Sequence, residues 1–105
     1  DTFAPLGPAL VTPDEIQDIG DLRLEARVDG RVMQTGSTRD LIFDIPAIIA
    51  YISRDITLWP GDIVSTGTPS GVGIFRDPPV TLAAGSTVEC RISGIGTLRN
   101  RVMAQ

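Results

Sequence analysis

Hydrophobic and polar positions alternate most clearly between residues 21 and 28. Leu22, Leu24, Ala26 and Val28 are apolar, and Asp21, Arg23, Glu25 and Arg27 between them are charged. A period of two sends the two sets to opposite faces of an extended chain, so a half-buried strand with a solvated charged face is expected. Asp29-Gly30 supplies the residues that a type I′ hairpin turn demands, and Arg31-Val32-Met33-Gln34 is expected to return as the partner strand. Residues 34–40 read as a polar loop in which Arg39 and Asp40 have structural roles. The period then becomes helical. Ile45, Ile48, Ile49 and Ile52 form one stripe, which predicts a helix over about 44–54 packed on a sheet. Asp44 is placed to cap it, Pro46 lies in its first turn, and Phe43 can staple onto Ile48.

The remaining stretches are shorter. Residues 3–11 are apolar but broken by Pro5 and Pro8, which suits an extended edge or wall segment. Thr12-Pro13-Asp14-Glu15 has the order of a capping box with proline at the first helical position, and Asp18 and Gly20 limit it to one turn. Residues 80–82, 87–92 and 97–103 read as strands separated by glycine-containing turns. Strand follows strand without regular helical crossovers. The expected fold is therefore mainly β, of the α+β kind: a mixed or largely antiparallel roll or sandwich with one packed helix, in a single domain over residues 1–105.

The chemistry concentrates between Trp59 and Gly73. Trp59 reads as a core or interface plug, and Pro60-Gly61 as a turn. Ile63-Val64 and Thr66 make a short strand, which breaks into a loop containing Gly67, Gly71 and Gly73. Glycines allow the main chain unusual conformations and let a ligand approach it closely. Thr66 and Thr68 are two apart, so their hydroxyls project to the same side of an extended chain. Such a loop suits a small carboxylate or carbonyl compound, although a tight connection between strands would use the same residue types. It is not a nucleotide loop. A P-loop needs Gly-Lys-Ser/Thr, and the dinucleotide fingerprint needs a third glycine where Arg76 stands. Arg76 itself, in an irregular stretch, reads as a surface arginine.

Composition narrows the classes further. Net charge is −4, from 9 basic and 13 acidic residues, which argues against a nucleic-acid surface. Histidine is absent and every basic residue is arginine, so histidine triads and histidine metal sites are excluded within these residues, and arginine cannot shuttle protons. The single cysteine, Cys90, forms no intrachain disulfide and is expected to be a small buried apolar residue. No apolar run approaches membrane-span length and no signal peptide opens the sequence, so a cytoplasmic protein is the default expectation.

The run PGDIVSTGTPSGVG over residues 60–73 resembles the signature loop of the fumarylacetoacetate hydrolase family. Residues 1–8, DTFAPLGP, resemble the family's segment following a lysine. Residues 34–40, QTGSTRD, resemble its mid-domain loop, and residues 94–100, GIGTLRN, its last turn and terminal strand. The resemblance runs in order along nearly the whole sequence. It implies the β-rich sandwich roll of these enzymes and a divalent metal, magnesium or manganese, that binds a 2-oxo acid or β-diketone. It implies C–C bond hydrolysis, decarboxylation or enol–keto isomerisation. Carried over by residue, Thr68 would hydrogen-bond the substrate carboxylate or carbonyl. The amides of Gly67, Ser70 and Gly71 through Gly73 would line that pocket, and Thr2 would help frame the cation region.

The family's metal ligands are a Glu-x-Glu pair and aspartates upstream of its lysine. The glutamates here are Glu15, Glu25 and Glu89, with no such pair. No metal ligand and no catalytic base is therefore carried over. The sequence matches the C-terminal half of family members, and alone it is expected to hold half a pocket and to be inactive or nearly so. Two further classes stay open: a non-catalytic binding or structural module, and a subunit whose site is completed by a second chain. Family members are commonly homodimers, so a homo-oligomer is expected, with no nucleic-acid or membrane partner.

Overall fold

The computed structural model describes residues 2–104. The alternating segment forms strand β1, Arg23–Val28, and the return strand β2 spans Arg31–Ser37. The turn between them has φ 50° at Asp29 and φ 78° at Gly30, the two positive values that a type I′ turn requires. Helix α1, Ile45–Ile52, begins where expected: the Asp44 carboxylate accepts from the Ala47 amide at 2.7 Å. Strands β3, Thr87–Ile92, and β4, Gly96–Arg101, complete a four-stranded sheet in the order β2-β1-β3-β4. All three pairings are antiparallel, so the expected β-rich, largely antiparallel architecture with one helix is what forms. The hairpin turn is pinned to the start of β3. The Thr87 amide donates to the Asp29 carboxylate at 2.7 Å, and the Asp29 amide donates to the Thr87 carbonyl at 2.9 Å.

Several expectations need correction. The polar run Gln34 to Ser37 continues β2, because its backbone pairs with Arg23 to Ala26; only Thr38–Asp40 leaves the sheet, as a 3₁₀ turn capped by Ser37. No strand forms over residues 63–66 or 80–82. Their β-branched residues suit a strand, but a strand exists only where a neighbour takes up its backbone groups. At the first 3₁₀ turn, Pro13–Glu15, Thr12 does not cap the backbone; its hydroxyl donates to the Glu15 carboxylate at 3.3 Å.

The core is thin. Among the described residues Met33 is the only buried apolar side chain. Radius of gyration is 15.4 Å, against about 13 Å for a compact domain of 100 residues. Phe3, Leu10, Ile42 and Phe75 are each more than 85% exposed. Trp59, expected as a plug, is exposed, and so is Phe43. Cys90, expected to be buried, is exposed too, although its register places it between Ala26 and Leu98 on the apolar face. That face is therefore uncovered at its centre. On α1, Ile45, Ile48 and Ile52 are half-buried while Ile49 is exposed, so the isoleucine stripe is only partly covered. Among the described residues no helix is long and apolar enough to cross a membrane.

Candidate functional site

The sheet has one charged and one apolar face. Glu25 lies opposite Arg91, Arg27 opposite Glu89, and Glu89 opposite Arg99, so opposite charges alternate across three strands. Within β1 the Arg27 Nε donates to Glu25 at 2.7 Å, and this hydrogen bond holds the Glu25 carboxyl below the usual carboxylate range. The shallow hollow lined by Glu25, Arg27, Glu89, Arg91 and Thr97 is thus a self-neutralised surface rather than a ligand site.

The glycine loop meets the sheet at the edge strand β2. The register there contains a bulge: Ala26 pairs with Gln34 and Arg27 with Val32, which leaves Met33 as the extra residue. One consequence is that Gln34, opposite Ala26, falls in line with the apolar set of β1. Another is that the Met33 carbonyl accepts a hydrogen bond from a side chain, Arg76 Nη2. Arg76 Nε donates to the Gly71 carbonyl at 3.0 Å. Arg76 therefore joins the loop to the bulge. It is half-buried, not the surface residue expected from its setting.

Further contacts dock the loop. Gln34 Nε2 donates to Thr68 Oγ1 at 2.9 Å and to the Pro69 carbonyl at 2.6 Å. Gly36 faces Pro69 so closely that a Cβ there would come within 2.9 Å of the proline Cβ. Gly71 has φ 101°, and a Cβ on it would fall on the Met33 carbonyl oxygen. Of the anticipated site residues, Gly67, Thr68, Ser70 and Gly71 are thus presented together on one docked loop. Thr68 and Ser70 are exposed, and Gly67 turns the chain at φ 104°. Thr2 is exposed, and among the described residues no hydrogen bond ties it to the loop. Gln34 and Arg76 are the members that sequence reasoning missed. The available signal was Gln34 inside the resembling QTGSTRD run.

Replacing Arg76 by Met removes both side-chain donors and leaves the two carbonyls without them. Charge-assisted bonds in a half-buried setting make this an expected loss of about 2 kcal/mol, read as a lower urea midpoint with unchanged slope. An unchanged midpoint would mean that the loop is not held by this residue.

Among the described residues no group of three or more histidine, cysteine, aspartate or glutamate side chains could hold a metal ion. What the loop does offer is an exposed hydroxyl beside glycine-rich backbone, an arrangement suited to an anionic oxygen.

Comparison with known proteins agrees with the family resemblance and the fold. The model of the fumarylacetoacetate (FAA) hydrolase C-terminal region matches residues 1–103. The chain is 48% identical over 103 residues to the mitochondrial oxaloacetate tautomerase FAHD2A of Homo sapiens, covering 98% of this chain and 33% of that protein. It superposes on the fumarylacetoacetate hydrolase from psychrophilic Exiguobacterium antarcticum with a TM-score of 0.95 and 44% identity, over 100% of this chain and 38% of that one. It also superposes on the maleylpyruvate hydrolase of Sphingobium sp. SYK-6, solved in complex with manganese(II) and pyruvate. There the TM-score is 0.87 and the identity 40%, over 98% of this chain and 36% of that one. The chain spans about a third of the length of the curated relatives it matches, 33% for the tautomerase. On this sequence match and this fold, the chain belongs to the fumarylacetoacetate hydrolase family.

Proposed function

We propose that this chain supplies the substrate-carboxylate loop of a metal-dependent enzyme acting on 2-oxo acids or β-diketones, by C–C bond hydrolysis, decarboxylation or enol–keto isomerisation. The observation that carries this reading is the Thr68 hydroxyl, exposed on a loop that Gln34 and Arg76 clamp to β2. Thr68 donates to the substrate carboxylate or carbonyl, and the amides of Gly67, Ser70 and Gly71 line the same pocket. Thr2 frames the cation region. Residues 1–105 act as one domain in this reading. The magnesium or manganese ion takes its ligands from outside the described residues, and manganese with pyruvate in the maleylpyruvate hydrolase neighbour supports a divalent ion. The exposed apolar side chains support further polypeptide, a second copy included, completing the site.

Turnover of oxaloacetate, maleylpyruvate and related 2-oxo acids by the intact protein tests this reading, with magnesium or manganese present and after chelation. Chelation is expected to reduce the rate at least about 100-fold, with recovery when the ion is restored, since Lewis-acid chemistry supplies several kcal/mol. Pyruvate binding without turnover of any such substrate would instead support the non-catalytic binding module.

A further inference from the structure

We propose that Gln34 is a positioning residue that fixes the Thr68 hydroxyl as a hydrogen-bond donor toward the bound carboxylate. This deepens the reading above and rests on Thr68 serving the substrate.

Gln34 ends in a carboxamide. Its nitrogen only donates, through two N–H groups, and its oxygen only accepts. Gln34 Nε2 lies 2.6 Å from the Pro69 carbonyl, which can only accept, so the nitrogen must face the loop. The second N–H is then directed at Thr68 Oγ1, 2.9 Å away. A threonine hydroxyl has one hydrogen to give. Since the oxygen accepts from Gln34, that hydrogen points elsewhere, and among the described residues it reaches no protein acceptor. Thr68 is exposed, so its hydrogen faces the side from which a ligand enters. A carboxylate oxygen only accepts, and therefore meets a donor that needs no reorientation.

The fold explains how a polar residue comes to stand there. Without the bulge at Met33, Gln34 would shift by one place to the charged face. With it, Gln34 stands opposite Ala26, among the apolar positions, where its two hydrogen bonds satisfy a half-buried amide. Loop docking does not require Gln34 to reach the hydroxyl. Arg76 already holds Gly71, and Gly36 already seats Pro69. The contact with Oγ1 is the one that bears on the substrate group.

The test is pyruvate affinity in the intact protein with manganese(II), measured by calorimetry for wild type, Gln34→Met, Thr68→Val and the double variant. Methionine removes both donors without adding charge and frees the hydroxyl to rotate, so pyruvate should bind about 5- to 10-fold more weakly. In the Thr68→Val background the same change should add less than about twofold, because the hydroxyl it orients is gone. In turnover the loss should fall on KM, with kcat within about threefold, as expected when uniform binding is removed. Gln34→Glu, the same size but accepting only, turns the hydroxyl toward itself and should weaken pyruvate binding more than Gln34→Met. If the methionine variant folds poorly, Gln34→Glu is compared with and without Thr68→Val, since repulsion of pyruvate by the new charge is common to both and only the remainder reports the hydroxyl.

A Gln34→Met affinity within about twofold of wild type would overturn the proposal, as would an equal loss with and without Thr68, which would make Gln34 a loop anchor only. A Thr68→Val variant with unchanged pyruvate affinity would instead sink the substrate role of Thr68. The two failures are therefore distinguishable.

Discussion

Gly71→Ala is expected to destabilise the protein by about 3 kcal/mol, lowering Tm by roughly 10–20 °C. Two independent effects combine. Gly71 has φ 101°, a region that costs L residues strain, and its missing Cβ is where the Met33 carbonyl oxygen sits. That oxygen is backbone, held in turn by Arg76, so relief requires moving β2 or undocking the loop. Gly85→Ala isolates the strain: its φ is 92°, but nothing lies within 4 Å of the new Cβ. It should cost about 1 kcal/mol. Thermal unfolding of both variants checks the difference. Equal shifts would show that the loop is not seated on the bulge.

Thr68→Val should raise KM for a 2-oxo acid about 10- to 100-fold while kcat changes little. Valine keeps the shape and removes one hydrogen bond to a charged acceptor, worth about 1.5–3 kcal/mol. The hydroxyl is exposed, so the fold should be nearly indifferent to its loss. The Pro69 carbonyl keeps its bond from Gln34, and the second Gln34 N–H turns to water. Thr68→Ser retains the donor and should stay within about threefold of wild type. Steady-state kinetics on the three proteins separates lost binding from lost chemistry. A fall in kcat with unchanged KM would contradict the assigned role.

Much of this was legible in the sequence because it is local. Asp29-Gly30 dictates its own turn, Asp44 its own cap, and the alternation from Leu22 to Val28 its own strand. The loop from Gly67 to Gly73 stood out as a break in hydrophobic pattern, and its resemblance to a family signature gave Thr68 a role. What was hidden depends on partners distant in sequence. Residues 34–37 are polar and contain a glycine, so nothing local marks them as strand; pairing with residues 23–26 makes them one. The bulge at Met33 leaves no trace in composition, yet it decides that Gln34 stands on the apolar side and that Arg76 finds a carbonyl. Ile63, Val64 and Thr66 have the right propensity for a strand and no neighbour to pair with among the described residues. Trp59 and Cys90 were expected inside by residue type, and both lie on surface that the described residues do not cover.

The most direct test of the proposed carboxylate-binding role of the loop is a calorimetric titration of pyruvate into the intact protein with manganese(II), wild type beside Thr68→Val and Thr68→Ser. The expected result is saturable binding that weakens about 10- to 100-fold in the valine variant and stays near wild type in the serine variant. Pyruvate binding equally well to all three proteins would contradict it, since the loop hydroxyl that Gln34 orients would then take no part in recognition.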